Sequence, residues 1–240
     1  MAFTEIFQRQ EYKYIMNKKQ KEKLLKAMKE HNMFLDSYGR TTIRNVYFDT
    51  PDYRLIRRSI ESPVYKEKLR VRSYELAHGN STVFVELKKK YDHIVYKRRI
   101  PLKTNIAEDW LSGKTERPTS SQIAKEIDYF LQFYKTLKPA IFLSYEREAY
   151  FSKTNSDLRI TFDENILSRQ TDMSLKTDVS GEYVFPSELT LMEIKCSGAI
   201  PKWLSKALSK NGLFKTSFSK YGNAYIKSIY PNLRKDAYYA

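Results

Sequence analysis

Apolar and polar side chains alternate residue by residue through the middle of this chain, and the polar members are mostly cations. Lys68-Leu69-Arg70-Val71-Arg72-Ser73-Tyr74 sets its basic residues two apart. A β-strand turns successive side chains to opposite faces, so Lys68, Arg70 and Arg72 share one face and Leu69 and Val71 the other. Val83 to Lys88 repeats the pattern, with Glu86 and Lys88 opposite Val83, Val85 and Leu87. Ile94 to Ile100 carries Lys97 and Arg99 at the same spacing. Turn residues in His78-Gly79-Asn80-Ser81 and Tyr91-Asp92-His93 separate the runs, which predicts a meander of three antiparallel strands.

The same two periodicities lay out the rest. Phe7 to Ile15 reads as a strand with Arg9, Glu11 and Lys13 on one face. Asn17 can cap a helix from Lys18 to about His31, with Leu24, Leu25 and Met28 as its apolar stripe and its lysines on a plain exposed face. Thr42 to Asp49 is a strand closed by Asp49-Thr50-Pro51-Asp52, and Tyr53 to Arg58 a short helical turn. Thr104-Asn105 caps a short helix through Trp110. Ser120 or Ser121 opens a longer one bearing Ile123, Ile127, Phe130, Leu131 and Tyr134. Ile141 to Phe151, Leu158 to Asp163 and Leu191 to Lys195 are further strands; the last places Glu193 and Lys195 together. Asp172 to Ser180 is loop. Pro201 starts a helix that ends near Gly212, and Ser219-Lys220 opens a final helical segment reaching Ile229.

An ionic strand face has two readings. It is solvated, as in most antiparallel sheets, or it lines a site for an anion. The recurrence of the pattern in about eight strands, with carboxylates set among the bases, favours the second. Eight antiparallel strands can close into a barrel whose interior just holds side chains or a slim ligand. Two like charges ~6 Å apart at an effective dielectric of ~20 repel by roughly 3 kcal/mol. Inward-facing bases therefore require an anion or paired carboxylates to offset them, and the function read from the residues is to hold phosphate.

Composition narrows the partner. The chain has 240 residues, with 43 Lys and Arg against 28 Asp and Glu, a formal charge of +15. That balance calls for a polyanion: nucleic acid, anionic lipid or a phosphorylated ligand. Carboxylates interleaved with the bases argue against nucleic acid, and a barrel of this size cannot admit a duplex whose major groove alone is ~12 Å wide. Cys196 is the single cysteine, which fits a reducing compartment. No signal peptide and no apolar stretch long enough to span a bilayer is visible. The expected location is cytoplasmic, with any membrane attachment made through a membrane-protein partner.

The ordered set of motifs resembles a family. Lys13-Tyr14, Tyr47-Phe48-Asp49, Arg70-Val71-Arg72-Ser73-Tyr74, Glu86-Leu87-Lys88 and Lys97-Arg98-Arg99 come first. Tyr145-Glu146-Arg147, Arg159-Ile160-Thr161-Phe162-Asp163, Glu193-Ile194-Lys195 and Ser219-Lys220-Tyr221 follow. Together they look like the catalytic domain of the vacuolar transporter chaperone complex, the polyphosphate polymerase branch of the triphosphate tunnel metalloenzymes. The resemblance implies an α+β fold: one domain over residues 1–240, with a closed eight-stranded antiparallel barrel, helices packed outside and C-terminal helices (about 201–229) packing on or capping it. It implies transfer of the γ-phosphoryl group of ATP to a growing inorganic polyphosphate chain, with Mn or Mg as cofactor. By motif, Lys13, Arg70, Arg72, Lys88, Lys97, Arg147 and Arg159 bind triphosphate and chain. Glu193 holds the metal, helped by Glu86; Ser219 and Lys220 contact phosphate near the reacting end, with Tyr145 alongside. Arg9, Arg99 and Lys195 count as further substrate contacts. Arg9 stands where the wider superfamily opens Glu-x-Glu-x-Lys, so this chain exchanges a carboxylate for a phosphate partner there. Rival readings are a triphosphatase of the same fold and a non-catalytic binder of polyphosphate or inositol phosphate. Phosphate-cradling glycine loops, zinc spacings and nucleophile elbows are absent from the sequence.

Overall fold

The computed structural model describes residues 10–61, 63–92 and 94–233. Its strands are β1 (Gln10–Asn17), β2 (Met33–Asp49), β3 (Tyr65–Ser73), β4 (Thr82–Tyr91), β5 (Ile94–Lys103), β6 (Lys138–Ser152), β7 (Arg159–Arg169), β8 (Glu182–Tyr183) and β9 (Leu189–Cys196). Its helices are α1 (Lys18–Glu30), α2 (Arg54–Ile60), α3 (Thr104–Leu111), α4 (Gln122–Tyr134), α5 (Lys202–Lys210) and α6 (Lys220–Ala224), the last running into a π-helical turn over Tyr225–Ile229. The fold is α+β. Hydrogen-bonded neighbours follow the order β1-β9-β7-β6-β2-β3-β4-β5, with β8 paired to β7. This is a nine-stranded antiparallel sheet rather than the expected eight, and among the described residues no ladder closes it into a barrel.

The chain divides into two compact units. The first takes the chain up to Thr42, then Tyr145–Ile166 and Phe185–Phe218. Here β1 pairs antiparallel with β9, and β9 with β7. Tyr14, Met16, Ile160, Phe162, Met192 and Ile194 form the apolar face, packed with Leu24 and Met28 of α1 and Leu204 and Leu208 of α5. Asn17 caps α1 as the sequence predicts: its side chain accepts from Gln20 N at 3.0 Å, and Gln20 Oε1 accepts from Asn17 N at 3.0 Å. One lysine of α1 departs from the plain exposed face expected. Lys21 is buried, and its ammonium donates to Glu148 and Glu164 at 2.8 Å each.

The second unit holds Ile43–Ser144, Leu167–Val184 and the chain from Ser219 on. The predicted meander is present: β2 pairs with β3, β3 with β4 and β4 with β5, all antiparallel. Leu69, Val71, Val83, Val85, Leu87 and Ile100 pack on Ala107, Trp110 and Leu111 of α3 and Ala124, Ile127 and Phe130 of α4. Ser121 caps α4, its side chain accepting from Ala124 N at 3.2 Å. Thr104 does not cap α3; it is the first helical residue, and its hydroxyl donates to Ser81 O at 3.0 Å. In each unit the helices cover the apolar side of the strands, so the ionic side is the one turned away from them.

Candidate phosphate-binding site

Strand register in the second unit gathers the cations into rows. Lys68 lies opposite Lys88, and Lys88 opposite Lys97; Arg70 lies opposite Glu86, and Glu86 opposite Arg99. Glu86 is 1% exposed and is the hub. Arg70 Nε donates to Glu86 Oε2 at 2.8 Å, and Lys97 Nζ lies 2.8 Å from Oε1. Arg99 Nε stands 3.5 Å from Oε1 and Arg72 at 4.0 Å from Oε2. Burial alone would raise the Glu86 carboxyl pKa, but the charges of Arg70, Arg72 and Lys97 outweigh it and hold the group well below the usual carboxylate range.

Neighbours fix the direction of each cation. Arg72, buried, donates from Nε to Asn45 Oδ1 at 3.0 Å, and Asn45 donates to Leu143 O at 3.0 Å. Arg70 also donates to the Tyr47 hydroxyl at 2.9 Å. The Arg99 guanidinium lies 3.5 Å from the centre of the Phe84 ring and bonds Tyr74. Lys68 Nζ donates to Ser219 Oγ at 3.0 Å, and the same oxygen accepts from Gly222 N, capping α6, where Lys220 is the first residue. Lys88 is exposed. Four cations therefore share one carboxylate, with Lys68, Lys88 and Lys220 close in sequence or register.

The first unit carries a second ionic cluster of different balance. Arg147 forks onto Asp163, with Nε to Oδ1 and Nη2 to Oδ2 both at 2.6 Å. Glu193 is approached more loosely, by Arg147 Nη2 at 3.5 Å and by Lys13 Nζ at 3.7 Å. Lys13 also lies 3.2 Å from Glu11 and donates to Phe218 O at 2.7 Å. The Arg147 guanidinium sits 5.1 Å from the Tyr145 ring centre. Burial disfavours this cation, but Tyr145, Asp163 and Glu193 reverse that and keep it firmly protonated. In register, Glu193 lies between Lys13 and Thr161, and Lys195 between Glu11 and Arg159. Arg159 is half exposed and pairs with Asp36 at 3.2 Å. Acids and bases are here nearly equal in number.

The metal that the family resemblance implies can be tested against these donors. Mg or Mn needs one or two carboxylates, completing its shell with water and phosphate oxygens. Glu193 fits by donor type, a carboxylate on the ionic face with Arg147 at 3.5 Å and Lys13 at 3.7 Å from its oxygens. Glu86 has cations beside both oxygens, Arg70 at 2.8 Å from Oε2 and Lys97 at 2.8 Å from Oε1, so a metal there would compete with them. Asp163 is likewise consumed by the Arg147 fork. Among the described residues no group of three His, Cys, Asp or Glu side chains gathers elsewhere.

Most predicted site residues thus fall into these clusters: Arg70, Arg72, Glu86, Lys97, Arg99 and Ser219 in the second unit, the last beside Lys68, and Lys13, Tyr145, Arg147, Arg159, Glu193 and Lys195 in the first. Arg9 lies outside the described residues, as does His93. His31 stacks on Trp203 at 4.5 Å and His78 sits in a turn, so neither enters a cluster. Sequence reasoning passed over Tyr47, Asn45 and the buried pair Tyr221–Asp49. Tyr47, Asp49 and Tyr221 stood within the family motifs; Asn45 carried no signal beyond sharing a strand face with Tyr47.

Comparisons with known proteins place the chain in a family. The family model for the VTC domain matches residues 8–229. The chain belongs to the VTC domain family. Among solved structures, a protein of Bacillus halodurans described as a candidate adenylate cyclase superposes with a TM-score of 0.52 at 16% identity, covering 88% of this chain and 95% of that one. A candidate adenylate cyclase of Vibrio parahaemolyticus gives 0.47 at 13% identity over 90% and 96%. A protein of Pyrococcus horikoshii gives 0.45 at 15% identity over 95% and 99%. The first likeness speaks to the fold. No curated protein matches the sequence.

Proposed function

We propose that this chain is a polyphosphate polymerase that moves the γ-phosphoryl group of ATP onto the end of an inorganic polyphosphate chain. A terminal oxygen of the polymer attacks the γ-phosphorus, the bond to the β–γ bridging oxygen breaks, and ADP leaves with that oxygen. The attacking group is already anionic at neutral pH, so no general base is needed, which accords with His31 and His78 lying apart from both clusters. Phosphoryl transfer asks chiefly for positioning and charge neutralisation. Arg70, Arg72, Lys88, Lys97 and Arg99 are assigned to the polyanion, Lys13, Arg147, Arg159 and Lys195 to the triphosphate, and Ser219 and Lys220 to the reacting end. Glu193 would hold Mn or Mg, which would offset the charge of the phosphate groups. The closed tunnel, action as one domain and a cytoplasmic location belong to this reading.

The observation that carries it is the Glu86 hub: four directed cations around one buried carboxylate, in a member of the VTC domain family. A triphosphatase would use water in place of the polymer end. A polyphosphate-stained gel run beside a free-phosphate assay, with ATP and Mn, separates the two. Polymer bands support the proposal; orthophosphate alone defeats it.

A further inference from the structure

Thr161 is buried at 3% exposure, and its hydroxyl has no hydrogen-bond partner among the described residues. Buried hydroxyls are nearly always satisfied, because leaving one unpaired forfeits its hydration. Thr161 lies directly opposite Glu193 in the β7–β9 ladder. Opposed residues of an antiparallel pair keep their Cβ atoms about 4.5–5.5 Å apart on one face. Alternation along β7 puts Arg159 and Asp163 on that face too, and Arg147 reaches it through its fork onto Asp163. Arg147, Asp163 and Glu193 each have ionic partners there, and Arg159 has Asp36. The hydroxyl beside them is left over. Of the other buried atoms without a hydrogen-bond partner, Glu86 Oε1 and Arg99 Nε have ionic neighbours, while Arg44 Nε, Ser73 Oγ and Ser144 Oγ belong to the strand faces that bear Val46, Val71 and Phe142 and so to the core side of the second unit.

We infer that the Thr161 hydroxyl is a triphosphate-binding group, donating its hydrogen to a non-bridging oxygen of the phosphoryl group that Arg147 and Glu193 serve. The inference rests on the functional reading above and adds a residue to it. Serine could make the same bond. Valine keeps the shape and removes the hydroxyl.

Two measurements on the full chain test this: melting temperature without ligand, and binding of inorganic tripolyphosphate by calorimetry. Thr161→Val should melt at or above the wild-type temperature, since an unpaired buried donor has been removed, while binding tripolyphosphate about tenfold more weakly. Thr161→Ser should bind like wild type. Equal affinity of wild type and Thr161→Val overturns the inference alone. So does a lowered melting temperature of the ligand-free valine variant with unchanged binding, which would mean that the hydroxyl serves the fold. If the wild type itself ignores tripolyphosphate, the functional reading fails and takes the inference with it.

Discussion

Tyr221 donates its phenolic hydrogen to Asp49 Oδ2 at 2.9 Å, joining residues 172 positions apart inside the second unit. Asp49 is fully buried, and it also accepts from Thr50 N, Leu55 N and Ile56 N at 2.8–3.0 Å, so one carboxylate ties the end of β2, the start of α2 and the start of α6. The Tyr221 ring lies 5.0 Å from that of Tyr47, whose hydroxyl accepts from Arg70. Burial raises the Asp49 pKa and pushes the Tyr221 phenol well up, with the carboxylate adding to the latter. Lys220 is thus placed by its neighbour. Tyr221→Phe should lower unfolding stability by about 1–3 kcal/mol, the range for orphaning a buried polar group, and should slow turnover as well. Chemical denaturation and a rate assay on the same preparation measure both.

Glu86 is the opposite case, a carboxylate whose removal leaves four cations facing one another. Glu86→Gln should destabilise the protein by about 3–5 kcal/mol, as for other buried ion pairs broken on one side. Tripolyphosphate or sulfate should restore much of the loss in melting temperature, because an anion bound only by the folded form stabilises it by mass action. A variant as stable as wild type would mean that the cations do not repel as their distances imply.

Acid should act through the same group. The folded Glu86 pKa lies below its ordinary value of 4.5, so the unfolded chain takes up this proton first. The stability it contributes is complete above about pH 4.5 and declines as the pH falls toward the depressed folded value. Melting curves from neutral pH to about pH 3 should show that decline in wild type, and a shallower one in Glu86→Gln.

Lys220→Ala tests the reacting end. Turnover should fall by about 100-fold or more, the usual loss when one electrostatic stabiliser of a transition state is removed. The melting temperature should shift little, since Lys220 is the partly exposed first residue of α6.

What the sequence disclosed were the faces, because the two-residue period of a strand is a local property. Arg70, Arg72 and Glu86 could be put on one side from spacing alone. Register could not, and register decides which charges meet: Glu86 shares a strand face with Lys88 in the sequence, yet its ladder partners are Arg70 and Arg99, which makes it the centre of an ionic cluster. The first half of β2 was missed because Phe34 to Thr41 is largely polar and partly exposed, with no apolar side to betray a strand. Lys21 looked like its exposed neighbours on α1, and nothing nearby announces Glu148 and Glu164. The Tyr221–Asp49 bond joins two family motifs whose connection only the fold supplies.

Phosphorus NMR of the chain incubated with ATP and Mg tests the central proposal most directly, since it follows every phosphorus at once. Resonances of interior phosphoryl groups should grow as those of the γ-phosphate decline, with ADP appearing in equal measure and orthophosphate scarce. ADP accompanied by orthophosphate alone, or ATP left unchanged with Mg or with Mn, would contradict it.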